Sequence, residues 1–92
     1  MRKSVHVEVS GRVQGVGYRA WCEAEAKRLG LSGWVRNRRS GTVEAVFSGE
    51  ADAVDAMLAT AHEGPRAARV EAVTVLGDAE PVEGRMTVRP TG

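Results

Sequence analysis

Val5-His6-Val7-Glu8-Val9-Ser10-Gly11-Arg12-Val13-Gln14-Gly15-Val16-Gly17-Tyr18-Arg19 decides the fold, because it passes from an alternating pattern through a glycine-rich junction into a helical one. Val5, Val7 and Val9 alternate with His6, Glu8 and Ser10, the period of two expected of a strand with one buried face. Gly11, Gly15 and Gly17 then end the strand and open a helix. Glycine lets the backbone take φ > 0 and brings N–H groups close to a ligand. The helix that follows adds unpaired N–H groups and the positive end of its dipole. Arg19 supplies a fixed cation in the first turn, so the stretch reads as a cradle for a phosphate or a carboxylate. The same residues also suit an ordinary glycine-rich turn beside an exposed arginine. A Walker loop would need Lys-Ser or Lys-Thr after its last glycine, and the spacing is not G-x-G-x-x-G either, which disfavours a nucleoside triphosphate.

Beyond the junction, Tyr18, Cys22, Ala26 and Leu29 repeat at helical period, with Gly30 placed to end the helix. Ser32 to Asn37 and Thr42 to Phe47 read as two strands joined by Arg38-Arg39-Ser40-Gly41, with Val35, Val43, Ala45 and Phe47 facing the core. A second helical stripe, Val54, Met57, Leu58 and Ala61, is preceded by Glu50 and Asp52, which complement its positive end, and is stopped by Gly64-Pro65. Val70 to Leu76 is a fourth strand. Met86-Thr87-Val88 is a weaker fifth, after a Gly/Asp/Pro-rich stretch over 77–84. The order β-α-β-β-α-β, with both helices apolar on one stripe, predicts an α+β fold of the ferredoxin-like, split βαβ kind: an antiparallel sheet of four to five strands with two helices on one face. That fold hosts many functions and names none by itself.

The 92 residues fit one domain, 1–92, that buries roughly 60–65% of its unfolded surface. Met1-Arg2-Lys3-Ser4 is basic but runs straight into the first strand, so neither a signal peptide nor a membrane span is expected, and the cytoplasm is the default location. Cys22 is the single cysteine, which allows no internal disulfide and no CxxC pair for zinc. The net charge of +1 argues against a general nucleic-acid glove. Charge is uneven, however: residues 1–39 carry nine Lys/Arg against three Glu, and residues 40–92 four Arg against nine Asp/Glu. An anionic ligand belongs to the first half.

The cradle, together with Gly33-Trp34-Val35-Arg36-Asn37 and Gly41-Thr42-Val43-Glu44, resembles the acylphosphatase family, whose members carry a G-R-V-Q-G-V-G-[FY]-R loop and a G-W-V-x-N strand end. The resemblance runs from about Val5 to Val88. It implies hydrolysis of the carboxyl–phosphate bond of acyl phosphates, with Arg19 binding phosphate, Asn37 positioning water, and Gln14, Gly15, Val16, Gly17 and Tyr18 supplying backbone N–H groups. Tyr18 stands where phenylalanine is common, with no loss expected. Met86 replaces a frequent aromatic, so the last strand is expected to be less firmly anchored. Alternation agrees with the role of Asn37: it shares a face with Val35, the face that the helices cover, and so points towards the cradle. The competing assignment for Asn37 is a residue that bonds its own turn.

The remaining candidates are weaker. Cys22 lies near the helix start, where a thiolate would be favoured, but falls on the apolar stripe and reads as core. His6, on the non-core face of the first strand, and His62, at the end of the second helix, read as surface residues without an acid or nucleophile beside them. Arg36, Arg38 and Arg39 either steer an anion to the cradle or form a solvated hairpin. No His/Cys/Asp/Glu set has metal-ligand spacing, so no metal or other cofactor is expected. Without an obvious general base, charge neutralisation and water positioning must do the work, which suits the good carboxylate leaving group of an acyl phosphate. The expected partners are a small acyl phosphate and inorganic phosphate, with no nucleic acid and no membrane, and the chain is expected to act as a monomer. The rival reading is a non-catalytic phosphate- or carbamoyl-phosphate-binding module; a chain of this length without further domains favours the enzyme. A single-stranded RNA binder would need more aromatic residues than Tyr18, Trp21, Trp34 and Phe47.

Overall fold

The computed structural model describes all residues, 1–92. Its elements run β1 (Arg2–Arg12), α1 (Tyr18–Arg28), β2 (Ser32–Asn37), β3 (Val43–Glu50), α2 (Ala51–Ala61), β4 (Arg69–Asp78) and β5 (Met86–Val88). The five strands form one sheet in the order β4-β1-β3-β2-β5, and both helices pack on the same face. This is the expected ferredoxin-like arrangement with one difference. β1 is antiparallel to β3 and β4, and β2 to β3, but β5 pairs parallel to β2, so the sheet is mixed.

The parallel pairing follows from the route between β4 and β5, which lie at opposite edges. The connecting segment crosses the ends of the intervening strands: the Ala79 N–H donates to the Ser4 carbonyl at 3.0 Å, the Val82 N–H to Ser48 Oγ at 3.2 Å, and Ser32 Oγ to the Gly84 carbonyl at 2.7 Å. Ser32 and Ser48 are buried beneath it. The chain therefore enters β5 from the same end at which β2 begins.

The core is what the alternation requires. Val5, Val7 and Val9 of β1, Val35 of β2 and Val43, Ala45 and Phe47 of β3 meet Tyr18, Cys22 and Ala26 of α1 and Val54 and Met57 of α2, all buried. Met86 is buried in the same cluster, so β5 is held by its side chain as well as by its pairing, and the loss of an aromatic there leaves no exposed anchor. β4 is longer than its apolar run suggests. Irregularities in its pairing with β1 break the alternation and leave Val75 and Leu76 both about half exposed.

Gly11 has a different task from the one its position in the motif suggests. It lies inside β1, with φ 116°, and a Cβ there would stand 2.2 Å from the Arg69 carbonyl oxygen of β4. It is glycine because two strands approach closely, and it takes no part in the cradle. The chain leaves the sheet after Arg12, and Gly15 and Gly17 (φ 72° and 81°) turn it into α1. Their Cβ positions face open space, so here the backbone conformation alone demands glycine.

Candidate active site

Gly17 is the N-cap of α1, in the left-handed conformation, and no side chain caps the helix. No acidic residue lies in the first turn either. The first intrahelical bond runs from the Trp21 N–H to the Gly17 carbonyl at 3.1 Å, leaving the preceding N–H groups without helical partners. The positive end of the helix is thus neither covered nor neutralised from within the protein.

A cavity of about 280 Å³ opens at this helix end. Gly15, Gly17, Tyr18, Arg19 and Ala20 form one side of it, Asn37 stands at the end of β2, and Val13, Val88 and Glu23 complete the wall. Arg19 is half-buried and belongs to none of the protein's ion pairs, in contrast to Arg36 and Arg38. A guanidinium without an internal carboxylate, beside bare helix N–H groups, is suited to gripping two oxygens of one anion.

Asn37 enters the site through sheet geometry. It pairs with Val43 on β3, on the helix-covered face that it shares with Val35. Its Oδ1 is buried and accepts no hydrogen bond. It therefore does not bond its own turn. Gln14 does that instead: its Nε2 donates to the carbonyls of Arg38 at 2.7 Å and Thr42 at 2.8 Å, strapping the cradle to the β2–β3 hairpin. The C-terminal end adds a second tie, with the Gly92 N–H donating to the Asn37 carbonyl at 3.0 Å. An unpaired buried amide oxygen costs roughly 1–3 kcal/mol, so its presence beside an anion cradle marks Asn37 as a candidate for function rather than for packing.

The structure brings Gly15, Gly17, Tyr18, Arg19 and Asn37 to one cavity, whereas Gln14 and Val16 do not line it. Val16 packs against the core. Tyr18 is buried, its hydroxyl donating to the Ala61 carbonyl at 2.8 Å, and burial raises its pKa well above the ordinary phenol value. Cys22 is core: burial, and then the charge of Glu23, push its thiol up to about 12, far from a thiolate at neutral pH.

On the helix-free face, His6 is not the isolated residue the sequence suggested. Its Nε2 donates to Glu44 at 2.5 Å, because the β1–β3 register sets the two on one face. Arg36, directly opposite Glu44, and Arg38 bond the same carboxylate at 2.7 and 3.1 Å. Burial alone would raise the Glu44 pKa, but hydrogen bonds from Arg36, His6 and Arg38 lower it to about 2. Arg36 and Arg38 thereby serve the sheet. His62 is exposed.

Sequence reasoning missed Glu23, Val13, Val88 and the Gln14 strap. Glu23 was within reach, since its i+4 spacing puts it on the helix face of Arg19. The others depend on which loop meets which hairpin. Nowhere does the fold gather three or more His, Cys, Asp or Glu side chains in metal-binding proximity, and no helix is long and apolar enough to cross a membrane.

Residues 5–87 match the family model described as Acylphosphatase. An acylphosphatase of an Azoarcus species is 58% identical over 78 residues, covering 85% of this chain and 79% of the relative. One from Rhodospirillum rubrum is 48% identical over 89 residues, covering 97% and 98%. Among solved structures, an acylphosphatase from Coxiella burnetii superimposes with a TM-score of 0.90 at 36% identity, covering 96% of this chain and 93% of that one.

Proposed function

This chain belongs to the acylphosphatase family and hydrolyses acyl phosphates to a carboxylate and inorganic phosphate, and from that premise we propose that two segments of the fold divide the work. The cradle binds the phosphate: Arg19 grips it as a fork, while backbone N–H groups over Gln14–Tyr18 and the uncapped end of α1 face its remaining oxygens. Asn37 positions the attacking water. A water that donates one O–H to Asn37 Oδ1 keeps its lone pair free for phosphorus, in line with the leaving carboxylate. The new bond joins the water oxygen to phosphorus. The bond that breaks joins phosphorus to the carboxyl oxygen, whose electron pair leaves with the carboxylate. A phosphate oxygen of the substrate takes the proton that the water gives up.

The observation that carries this reading is that Asn37, whose buried Oδ1 has no partner, lines the same cavity as Arg19, which forms no ion pair. No step needs a metal, and none needs an enzyme nucleophile, because the leaving group departs as a stable carboxylate. The chain should therefore hydrolyse benzoyl phosphate at an undiminished rate in EDTA and turn over p-nitrophenyl phosphate far more slowly. Activity abolished by EDTA and restored by a divalent cation, or equal turnover of the monoester, would contradict it.

A further inference from the structure

Asn37 depends on its backbone for its aim, because its Oδ1 is buried and no protein hydrogen bond reaches it. On the other face of the sheet that stretch of backbone is held by Glu44, the last residue of Gly41-Thr42-Val43-Glu44, which follows Val43, the partner of Asn37 on β3. Arg36 and Arg38, the residues on either side of Asn37, both donate to Oε1 of Glu44, Arg36 through Nε at 2.7 Å and Arg38 through Nη1 at 3.1 Å. The Glu44 side chain is only 12% exposed, so these charge-assisted bonds are only partly screened. Without the carboxylate, two guanidinium groups of like charge would be left together, with Asn37 between them in the chain. The clasp does not touch the cradle, since the side-chain partners of Glu44 are Arg36, Arg38 and His6.

We propose that Glu44 is a positioning residue for the reaction: its clasp on Arg36 and Arg38 fixes the end of β2, and with it Asn37, where the attacking water must stand. This rests on Asn37 holding that water. The open face takes no part in the chemistry; it fixes the backbone from which the chemistry is aimed. Gln14 joins the hairpin to the cradle and so affects both, whereas Glu44 holds the hairpin alone. A misplacement of about 1 Å at a reacting centre costs up to roughly 10²-fold in rate, so a loosened strand end lowers kcat by roughly threefold to thirtyfold. Phosphate, held by Arg19 and the loop, binds as before.

The test compares wild type, Glu44→Ala, Asn37→Ala and the double variant, measuring kcat on benzoyl phosphate, inorganic phosphate affinity by calorimetry, and Tm, with activity read well below every Tm. Glu44→Ala lowers Tm and lowers kcat roughly threefold to thirtyfold, with phosphate affinity within about twofold of wild type. In the Asn37→Ala background the same substitution lowers Tm again but changes kcat by less than about twofold, since the residue it aims is gone. His6→Ala removes the bond to the other carboxylate oxygen without reaching the hairpin, so it lowers Tm and leaves kcat unchanged. A kcat within about twofold of wild type in Glu44→Ala, an equal fall in both backgrounds, an equal fall in His6→Ala, or phosphate affinity lost alongside kcat would overturn the proposal and leave Glu44 a residue of sheet stability. Should Glu44→Ala not fold, Glu44→Gln, which keeps the shape and a neutral acceptor, carries the same comparison with a smaller fall. Asn37→Ala separates the two layers. An undiminished kcat there refutes the water-holding reading, whereas kcat lost there and unmoved in Glu44→Ala refutes the clasp alone.

Discussion

Gly15 and Gly17 carry the residue-scale argument, since each combines a positive φ with a Cβ position facing open space. An alanine at either position meets no neighbour and is opposed only by its own backbone, at a cost on the order of 1–2 kcal/mol. The chain can relieve that strain by rotating the peptide out of the left-handed region, and the rotation turns the loop N–H groups away from the anion. Gly15→Ala and Gly17→Ala should therefore weaken inorganic phosphate binding, measured by calorimetry, by more than their small fall in Tm implies. Wild-type affinity in both variants would show that the loop is an ordinary turn. Gly11→Ala provides the contrast: it collides with β4, so it should lower Tm without a selective effect on phosphate.

At the level of elements, the site is a meeting of the loop before α1 with the end of the β2–β3 hairpin, and Gln14 fixes the two together through its bonds to the Arg38 and Thr42 carbonyls. Gln14→Leu keeps the bulk but leaves both carbonyls without that donor, a loss of about 1–3 kcal/mol. Tm should fall, and phosphate affinity and kcat for benzoyl phosphate should fall together, because cradle and hairpin lose their register jointly. A variant that lost kcat alone would show that Gln14 acts within the chemistry rather than as a strap. The elements themselves were legible: valine alternation in β1, the apolar stripe of α1 and the paired strands around Ser40-Gly41 each report a local period. The parallel pairing of β5 was not, because it depends on a segment held by the Ser4 carbonyl and by the Ser32 and Ser48 hydroxyls, groups that carry no period. Arg19 and Asn37 could be singled out because glycine spacing and alternation place them. Glu44 could not be linked to His6, since only the register of β1 on β3 brings them together.

For the molecule as a whole, the two faces of the sheet are separated in function. The helix-covered face supplies the core and, at its edge, the cavity, while the open face carries the charged network around Glu44. The folded-state pKa of Glu44, about 2, lies below its ordinary 4.5. Its contribution is therefore complete above about pH 4.5 and lost as pH falls towards 2. Glu44→Gln should be less stable than wild type at neutral pH in urea melts, with the gap closing on acidification over that window; a gap independent of pH would remove the carboxylate from the account. The other face holds the central claim, that one fold joins a phosphate-holding segment to a separate water-holding residue. Asn37→Ala tests it most directly, with phosphate affinity by calorimetry, kcat on benzoyl phosphate and Tm measured on the same protein. Affinity and Tm should stay near wild type while kcat falls on the order of 10²–10³. An unchanged kcat, or a loss of kcat, affinity and Tm together, would contradict the division of labour.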